Sequence, residues 1–210
     1  MANQIQVNLA VEDSLSEMVL RTILQQSERS YVVVSCFLKG GYGYLKKSIR
    51  GFNNASKGTP FLILTDLDKA ECPPELIREW LPYSKHPNLI FRIAVREVEA
   101  WLLADRQAFS EFIGIPIGLI SDDTETIPDP KQKLIELVSK SKNKELREDI
   151  VPSMRSTARV GPNYNGRLGF FVTSYWKIQS AVNHSASLKR AVNTIAKFKP
   201  KGSYQNSSGD

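Results

Sequence analysis

Four segments with the composition of β-strands alternate with amphipathic helices over about the first 105 residues, and this alternation limits the possible folds most. The strands are predicted at 5–11, 31–38, 61–65 and 89–95. The third, FLILT, is a short uninterrupted apolar run, which is typical of a strand buried on both faces. Parallel strands need long crossover connections, and the intervening helices provide them. The pattern predicts an α/β fold with a mostly parallel four-stranded sheet flanked by helices.

The helices between these strands begin at recognisable signals. Ser14 is predicted to cap the first helix, with Glu17 completing a capping box three residues later. A Gly-rich turn at 40–43 precedes a basic helix predicted over 44–52, and the Pro pair at 73–74 begins the next one.

The second half of the chain contains no further predicted strand. Gly, Pro and Asp punctuate residues 108–127, which predicts a loop, and Asp129 with Pro130 begins a helix. A further helical stripe runs from Tyr164 to Tyr175, and a last helix begins at Ser185 or Ser187. We therefore predict three parts: a sheet domain over 1–107, a helical appendage packed on it over 108–200, and a disordered tail over 201–210.

Composition excludes several classes of protein. The hydrophobic fraction of 41% allows a sizeable core, and two cysteines, Cys36 and Cys72, are too few for a disulfide framework. The N-terminal segment MANQIQVNLAVEDS lacks the features of a signal peptide, and the apolar runs are too short to span a membrane. We expect a cytoplasmic protein. The net charge of +6 is compatible with a polyanionic partner.

Acidic residues follow the first, third and fourth predicted strands. They are Glu12 and Asp13, then Asp66 and Asp68, then Glu97 and Glu99. The carboxyl ends of parallel strands meet at one edge of a sheet, where ligands bind in such folds. A divalent cation relieves the repulsion between apposed carboxylates, and oxygen donors suit Mg²⁺ or Mn²⁺. Any single pair could instead form an Asx-turn or decorate a helix start.

Basic residues surround these positions. Lys39, Lys46, Lys47 and Arg50 lie around the glycine turn, where they could hold a phosphate backbone or form a solvated helix face. Arg92 and Arg96 are further candidates on the fourth strand and after it, although Arg92 could be structural. In the second half, Arg159, Tyr164, Asn165 and Arg167 form a polar-aromatic patch that could contact substrate or partner, or pack Tyr164 onto the helical core.

The sequence lacks the motifs of several other kinds of catalytic or binding site. Position 46 is a lysine, so Gly41 and Gly43 do not form a dinucleotide fingerprint. The chain has no Walker A motif, no H-E-x-x-H zinc motif and no G-x-S-x-G nucleophile elbow.

The order of a strand, Glu12, an amphipathic helix and a strand ending in Asp66-x-Asp68 resembles the Toprim domain of topoisomerases, primases and overcoming-lysogenization-defect (OLD) nucleases. A group of small Toprim-like proteins is more similar still. The matching segments are VEDSLSEMVLRTIL, LKKSIRGFNNAS, LTDLD, REVEAWLLAD, GPNYNGRL and SLKRAV. Toprim proteins usually have Gly after the motif glutamate, whereas this chain has Asp13.

The resemblance implies a Toprim-like catalytic domain in which Glu12 serves acid–base chemistry and the Asp-x-Asp pair binds Mg²⁺. Such proteins are similar to companions of ABC-type or OLD-type ATPases in bacterial anti-phage defence, which implies an ATPase partner. We expect Mg²⁺- or Mn²⁺-dependent cleavage of DNA or RNA. Glu12, Asp66, Asp68, Glu97 and Glu99 are the expected metal and catalytic residues.

Lys39, Lys46, Lys47, Arg96, Arg159 and Arg167 are the expected nucleic-acid contacts. A homo-oligomer is possible, and no membrane contact is expected. Two alternatives remain open: a non-catalytic or partner-gated subunit of an ATPase complex, and another phosphotransfer enzyme such as a primase-like nucleotidyltransferase or a phosphatase.

Overall fold

A computed structural model describes residues 4–202 and contains the predicted four-stranded sheet. The strands are β1 (Ile5–Val11), β2 (Tyr31–Leu38), β3 (Phe61–Asp66) and β4 (Leu89–Ala94). All pairings are parallel, and the spatial order is β2-β1-β3-β4. The prediction of an α/β fold with a parallel sheet is confirmed, and β1 and β3 are the two central strands.

The helices α1 (Ser14–Gln25), α2 (Gly41–Ala55) and α3 (Pro73–Trp80) connect the strands, and α4 (Val98–Ala104) follows β4. The predicted cap at Ser14 is wrong, because the carboxylate of Asp13 accepts a hydrogen bond of 2.8 Å from the Ser16 amide. Asp13 has extended backbone geometry, as a capping residue requires. Helix α2 begins earlier than predicted, after Gly40, whose φ of 67° is left-handed.

Six helices form the C-terminal region. They are α5 (Arg106–Ile113), α6 (Pro130–Ser139), α7 (Lys144–Ile150), α8 (Tyr164–Ser174), α9 (Ile178–Ala181) and α10 (Ala186–Lys197). The loop predicted over 108–127 is wrong in its first part, because Phe109 and Ile113 lie one turn apart on α5 and are both buried. Two short 3₁₀ helices, Ile117–Leu119 and Thr124–Thr126, interrupt the rest.

Side chains on alternate positions of the strands belong to two separate hydrophobic clusters, one on each face of the sheet. One cluster joins Leu9 and Leu64 to α1, α4 and the C-terminal helices, including Phe171 and Leu188. The other joins Ile63 to α2 and α3. The C-terminal helices therefore share one core with the sheet.

The structure also bears on the two cysteines and on the C-terminal tail, but it does not test the predicted domain boundary. Cys36 and Cys72 are unpaired, and both are partly buried. The boundary at 107/108 stays a prediction. Of the tail predicted over 201–210, residues 203–210 lie outside the described residues, and Lys201 exchanges two backbone hydrogen bonds of 2.7 Å with the Asn88 side chain. Within residues 4–202 no helix is long and apolar enough to cross a bilayer.

Candidate functional site

Glu12, Asp66 and Glu99 follow or end three different strands and approach one another at the carboxyl edge of the sheet. Glu12 comes directly after β1, Asp66 is the last residue of β3, and Glu99 lies in the first turn of α4 after β4. Asp66 is the acid that the other two approach, since the charges of Glu99 and Glu12 both raise the pKa of Asp66, after the larger effect of burial. The parallel topology thus gathers acids as the sequence predicted.

Glu12 is fixed by the end of the neighbouring strand. Its Oε1 accepts hydrogen bonds from the Thr65 hydroxyl and, at 3.1 Å, from the Asp66 amide. Burial is the main reason that the pKa of Glu12 is raised, and the charges of Asp68 and Asp13 add smaller contributions. A carboxyl group with a raised pKa is suited to proton transfer near neutral pH.

Asp66 connects the end of β3 to the start of α4. Its Oδ1 accepts a hydrogen bond of 2.9 Å from the Val98 amide, one of the amides at the helix start that lack an intrahelical partner. Burial, with Glu99 and Glu12 nearby, holds the pKa of Asp66 well above its usual range. Glu12 and Asp66 are thus both hydrogen-bonded to backbone amides, at the end of β3 and at the start of α4 respectively.

Glu99 is the most deeply buried of the acids, with 1% of its surface exposed. Its Oε1 accepts a hydrogen bond of 2.9 Å from the Tyr164 hydroxyl. Its Oε2 is buried and has no hydrogen-bond partner among the described residues. Burial raises the pKa of Glu99 to about 7, although the positive charge of Lys131 opposes this shift.

Lys131 supplies the positive charge of this cluster. Its Nζ lies 3.4 Å from Glu97 Oε1 and 3.4 Å from Glu99 Oε1. Its backbone amide donates a hydrogen bond of 2.9 Å to Glu97 Oε2. Burial lowers the pKa of Lys131, but Glu99, Glu97 and Asp66 together raise it above the ordinary value. The ammonium group is therefore permanently charged and balances part of the acidic cluster.

Sequence reasoning missed Lys131 entirely, and it missed the contact between Tyr164 and Glu99. Lys131 is the second residue of α6, and its place beside Glu97 and Glu99 depends on how α6 packs against α4. No local pattern indicates this contact. Of the two roles predicted for Tyr164, packing onto the helical core is the one observed, because Tyr164 is buried within the core cluster. Its hydrogen bond to Glu99 was not predicted.

The remaining predicted acids have different surroundings. Asp68 is exposed, with a left-handed φ of 49°. Asp13 caps α1. Glu97 accepts hydrogen bonds from both nitrogens of Lys131. Within residues 4–202, no group of three or more His, Cys, Asp or Glu side chains is arranged so that it could hold a metal ion.

The chemical type of the possible ligand atoms nevertheless suits Mg²⁺. All are carboxylate oxygens, which hard divalent cations prefer. The buried, unpartnered Oε2 of Glu99 is the kind of orphan acceptor that a cation satisfies. Glu12, Asp66 and Glu99 are the residues that could hold the ion, with the exposed Asp68 beside them in sequence.

Some of the predicted nucleic-acid contacts have exposed side chains, and others already form ion pairs or hydrogen bonds within the protein. Lys39, Lys47 and Arg159 are exposed. Lys46 forms an ion pair of 2.5 Å with Glu79, and Arg96 braces the turn after β3 by donating to the carbonyls of Asp68 and Ala70.

Arg167 pairs with Asp149 and Glu145 at 2.5 and 3.2 Å. Asn165 donates a hydrogen bond of 3.2 Å to the Ser14 hydroxyl. Arg92 is partly buried, and its Nε has no hydrogen-bond partner among the described residues. These contacts leave the predicted roles in nucleic-acid binding as predictions.

Comparisons with protein-family models, with curated proteins and with solved structures find no match to this chain. What the fold itself shows is an α/β protein with a four-stranded parallel sheet of order β2-β1-β3-β4 and a helical C-terminal region.

Proposed function

We propose that this chain is a Toprim-like nuclease that hydrolyses phosphodiester bonds of DNA or RNA with the help of Mg²⁺ or Mn²⁺. The observation that carries the proposal is the buried Oε2 of Glu99, which finds no hydrogen-bond partner within residues 4–202 and lies in a cluster where Glu12 and Asp66 also have raised pKa values. An additional cation would satisfy this oxygen and lower the repulsion among all three groups.

Each residue of the cluster has a distinct part in the proposed reaction. Glu12, held by Thr65 and the Asp66 amide, moves the proton of the attacking water or the leaving oxygen. Asp66, Asp68 and Glu99 would hold the ion, with Glu97 near a second position. When bound, Mg²⁺ supplies positive charge for the phosphate oxygens and activates water. Lys131 adds a fixed positive charge beside the developing negative charge.

The choice of nucleic acid as substrate is supported by charge and by the sequence resemblance. The net charge is +6 even though the acids concentrate at one edge of the sheet, so positive residues dominate elsewhere. Lys39 and Lys47 are exposed and free to contact a phosphate backbone. The resemblance to small Toprim-like proteins supports an ABC-type or OLD-type ATPase partner and a role in bacterial anti-phage defence.

A cleavage assay tests the proposal. Plasmid DNA, single-stranded DNA and tRNA are incubated with the protein in Mg²⁺ or Mn²⁺, with and without EDTA. We expect metal-dependent cleavage by the natural chain and none by Asp66→Asn, whose remaining amide oxygen can still accept from Val98. The matched control is Glu148→Gln, which changes an exposed carboxylate of α7. Undiminished cleavage by folded Asp66→Asn contradicts the site.

A second candidate function is a partner-gated subunit that is silent alone. It is favoured by the Lys131 ammonium, which already contacts Glu97 and Glu99 and so competes with a metal ion. In this case, the chain cleaves nucleic acid only when an ABC-type or OLD-type ATPase partner is added. Lys131→Met separates the two functions, because it abolishes cleavage if the ammonium acts in catalysis and releases it from partner control if the ammonium only blocks the site.

A further inference from the structure

A cavity of about 490 Å³ opens at the amino edge of the sheet, opposite the acidic cluster. It lies between the C-terminal part of α2, which leads into β3, and the segment 83–87, which leads into β4. Phe61 and Leu89 are paired at the starts of these parallel strands. Strands of six residues are about 20 Å long, so this cavity is separate from the carboxylates at the other edge.

The lining of the cavity is basic. Arg50, Lys57, Lys85 and His86 line it, and no acidic residue of the described chain does so. None of the Arg50, Lys57 and Lys85 side chains forms an ion pair with a carboxylate of residues 4–202. This differs from Lys46 on the same helix, which is paired with Glu79. The cavity therefore concentrates positive charge that the protein itself leaves uncompensated.

Polar groups in the wall are held in place or left without a partner. Asn53 accepts from the His86 amide at 2.7 Å and donates to the Ser84 carbonyl at 3.1 Å, which fixes the segment against α2. His86 Nδ1 accepts from the Asn88 amide at 3.2 Å, so the neutral ring carries its proton on Nε2. The buried hydroxyl of Tyr83 has no partner among the described residues.

The positive charge extends below the cavity into β4. Lys85 donates from Nζ to the Leu89 carbonyl at 2.7 Å. Burial and the neighbouring charge of Arg92 both lower the pKa of Lys85. Burial, together with Arg190, likewise lowers the pKa of Arg92. The buried Nε of Arg92 also finds no hydrogen-bond partner in the part of the chain that the structure describes. An anion near Lys85 would relieve this repulsion among cations.

We propose that this cavity binds the phosphate group of a nucleotide, either free or at the 5′ end of a nucleic acid. Arg50, Lys57 and Lys85 provide the positive charge, and the Tyr83 hydroxyl provides a neutral donor. A volume of about 490 Å³ is larger than inorganic phosphate needs and falls in the range of pockets for small organic ligands. The guanidinium of Arg50 lies 5.8 Å from the centre of the Tyr83 ring, a cation–π contact between two residues of the cavity wall.

Calorimetric titration of the full chain tests this site with four probes: inorganic phosphate, AMP, a 5′-phosphorylated hexanucleotide and the same hexanucleotide with a 5′ hydroxyl. EDTA is present throughout, so cleavage at the acidic cluster does not interfere and the outcome is independent of the proposed nuclease activity. We expect AMP or the 5′-phosphorylated hexanucleotide to bind more tightly than the 5′-hydroxyl form. Which of the two binds identifies the source of the phosphate.

The double variant Arg50→Gln/Lys57→Gln is expected to weaken that binding at least about tenfold, because it removes two charge-assisted donors from exposed positions. Lys140→Gln/Lys144→Gln is the control, since it makes the same change of charge on α6–α7 and outside the cavity. Tyr83→Phe is expected to weaken binding without lowering stability, because its hydroxyl has no partner to lose. The proposal is overturned if no phosphorylated probe binds, or if both double variants bind equally.

Discussion

The hydroxyl of Tyr164 donates a hydrogen bond of 2.9 Å to the buried Glu99 carboxylate, which joins the first turn of α8 to the first turn of α4. The segments REVEAWLLAD and GPNYNGRL, which are far apart in the sequence, meet at this contact. The acidic cluster therefore takes residues from both sides of the boundary predicted at 107/108.

Tyr164→Phe is expected to destabilise the protein by about 1–3 kcal/mol at pH 8, where Glu99 is charged and would lose a buried donor. Urea unfolding followed by circular dichroism measures this change. Tyr175→Phe, at a residue with 48% of its surface exposed, should change stability by less than about 0.5 kcal/mol. Equal stability of the two variants would mean that the bond to Glu99 contributes nothing.

The raised pKa of Glu99 makes stability depend on pH. Its pKa is about 7 in the folded protein, compared with an ordinary value of 4.5. Between these values, the folded chain keeps a proton that the unfolded chain releases, so the contribution of Glu99 to stability falls as pH rises through this window. This loss of stability is complete at pH values above the pKa of Glu99 in the folded chain, and it is absent below the pKa of Glu99 in the unfolded chain.

Glu99→Gln removes this titration while retaining the shape of the side chain. The unfolding free energy of the natural chain, taken relative to Glu99→Gln, should fall between about pH 4.5 and pH 7 by on the order of 1–3 kcal/mol. Glu148→Gln, at an exposed carboxylate, should leave the pH profile unchanged. A constant difference between the natural chain and Glu99→Gln across this range would contradict the shift.

Gly161 lies where the backbone leaves no room for a side chain. A Cβ at this position would lie 2.4 Å from the carbonyl oxygen of Asp149 and 2.6 Å from the carbonyl carbon of Ile150. The Gly161 amide also donates to the Ile150 carbonyl at 2.9 Å, which holds the two segments together. This close approach fixes the start of α8, which carries Tyr164.

Gly161→Ala is therefore expected to destabilise the protein by about 1–3 kcal/mol, because backbone rather than a flexible side chain must move. Gly118→Ala is the matched control, since no atom lies within 4 Å of its Cβ position. Urea midpoints of the two variants measure the difference. If the urea midpoint of Gly161→Ala were as high as that of Gly118→Ala, the backbone around Gly161 could accommodate a Cβ without loss of stability, which would contradict the prediction.

The strands could be predicted because their signals are local. Runs such as FLILT have the β-branched and apolar composition of buried strands, and parallel topology then gathers the acids after β1, β3 and β4 at one edge. The cap of α1 was misplaced because Asp13 and Ser14 are both good capping residues, and only the path of the chain leaving β1 decides between them.

The place of Lys131, the positive charge beside the acidic cluster, could not be predicted because it depends on tertiary packing. Lys131 follows Glu97 by more than thirty residues and reaches it only because α6 packs on α4. The basic cavity is similar, since Arg50 and Lys85 come from separate segments that meet where β3 and β4 begin. Such pairings have no periodicity that a sequence could display.

Direct binding of Mn²⁺, followed by the electron paramagnetic resonance signal of the free ion, tests the central claim without requiring an active partner or the right substrate. We expect the natural chain to bind Mn²⁺, with Mg²⁺ competing, and Asp66→Asn/Glu99→Gln to bind at least about tenfold more weakly. Glu148→Gln should bind as the natural chain does. Absence of Mn²⁺ binding by the natural chain, or equal binding by the folded double variant, would contradict a metal site at this edge of the sheet.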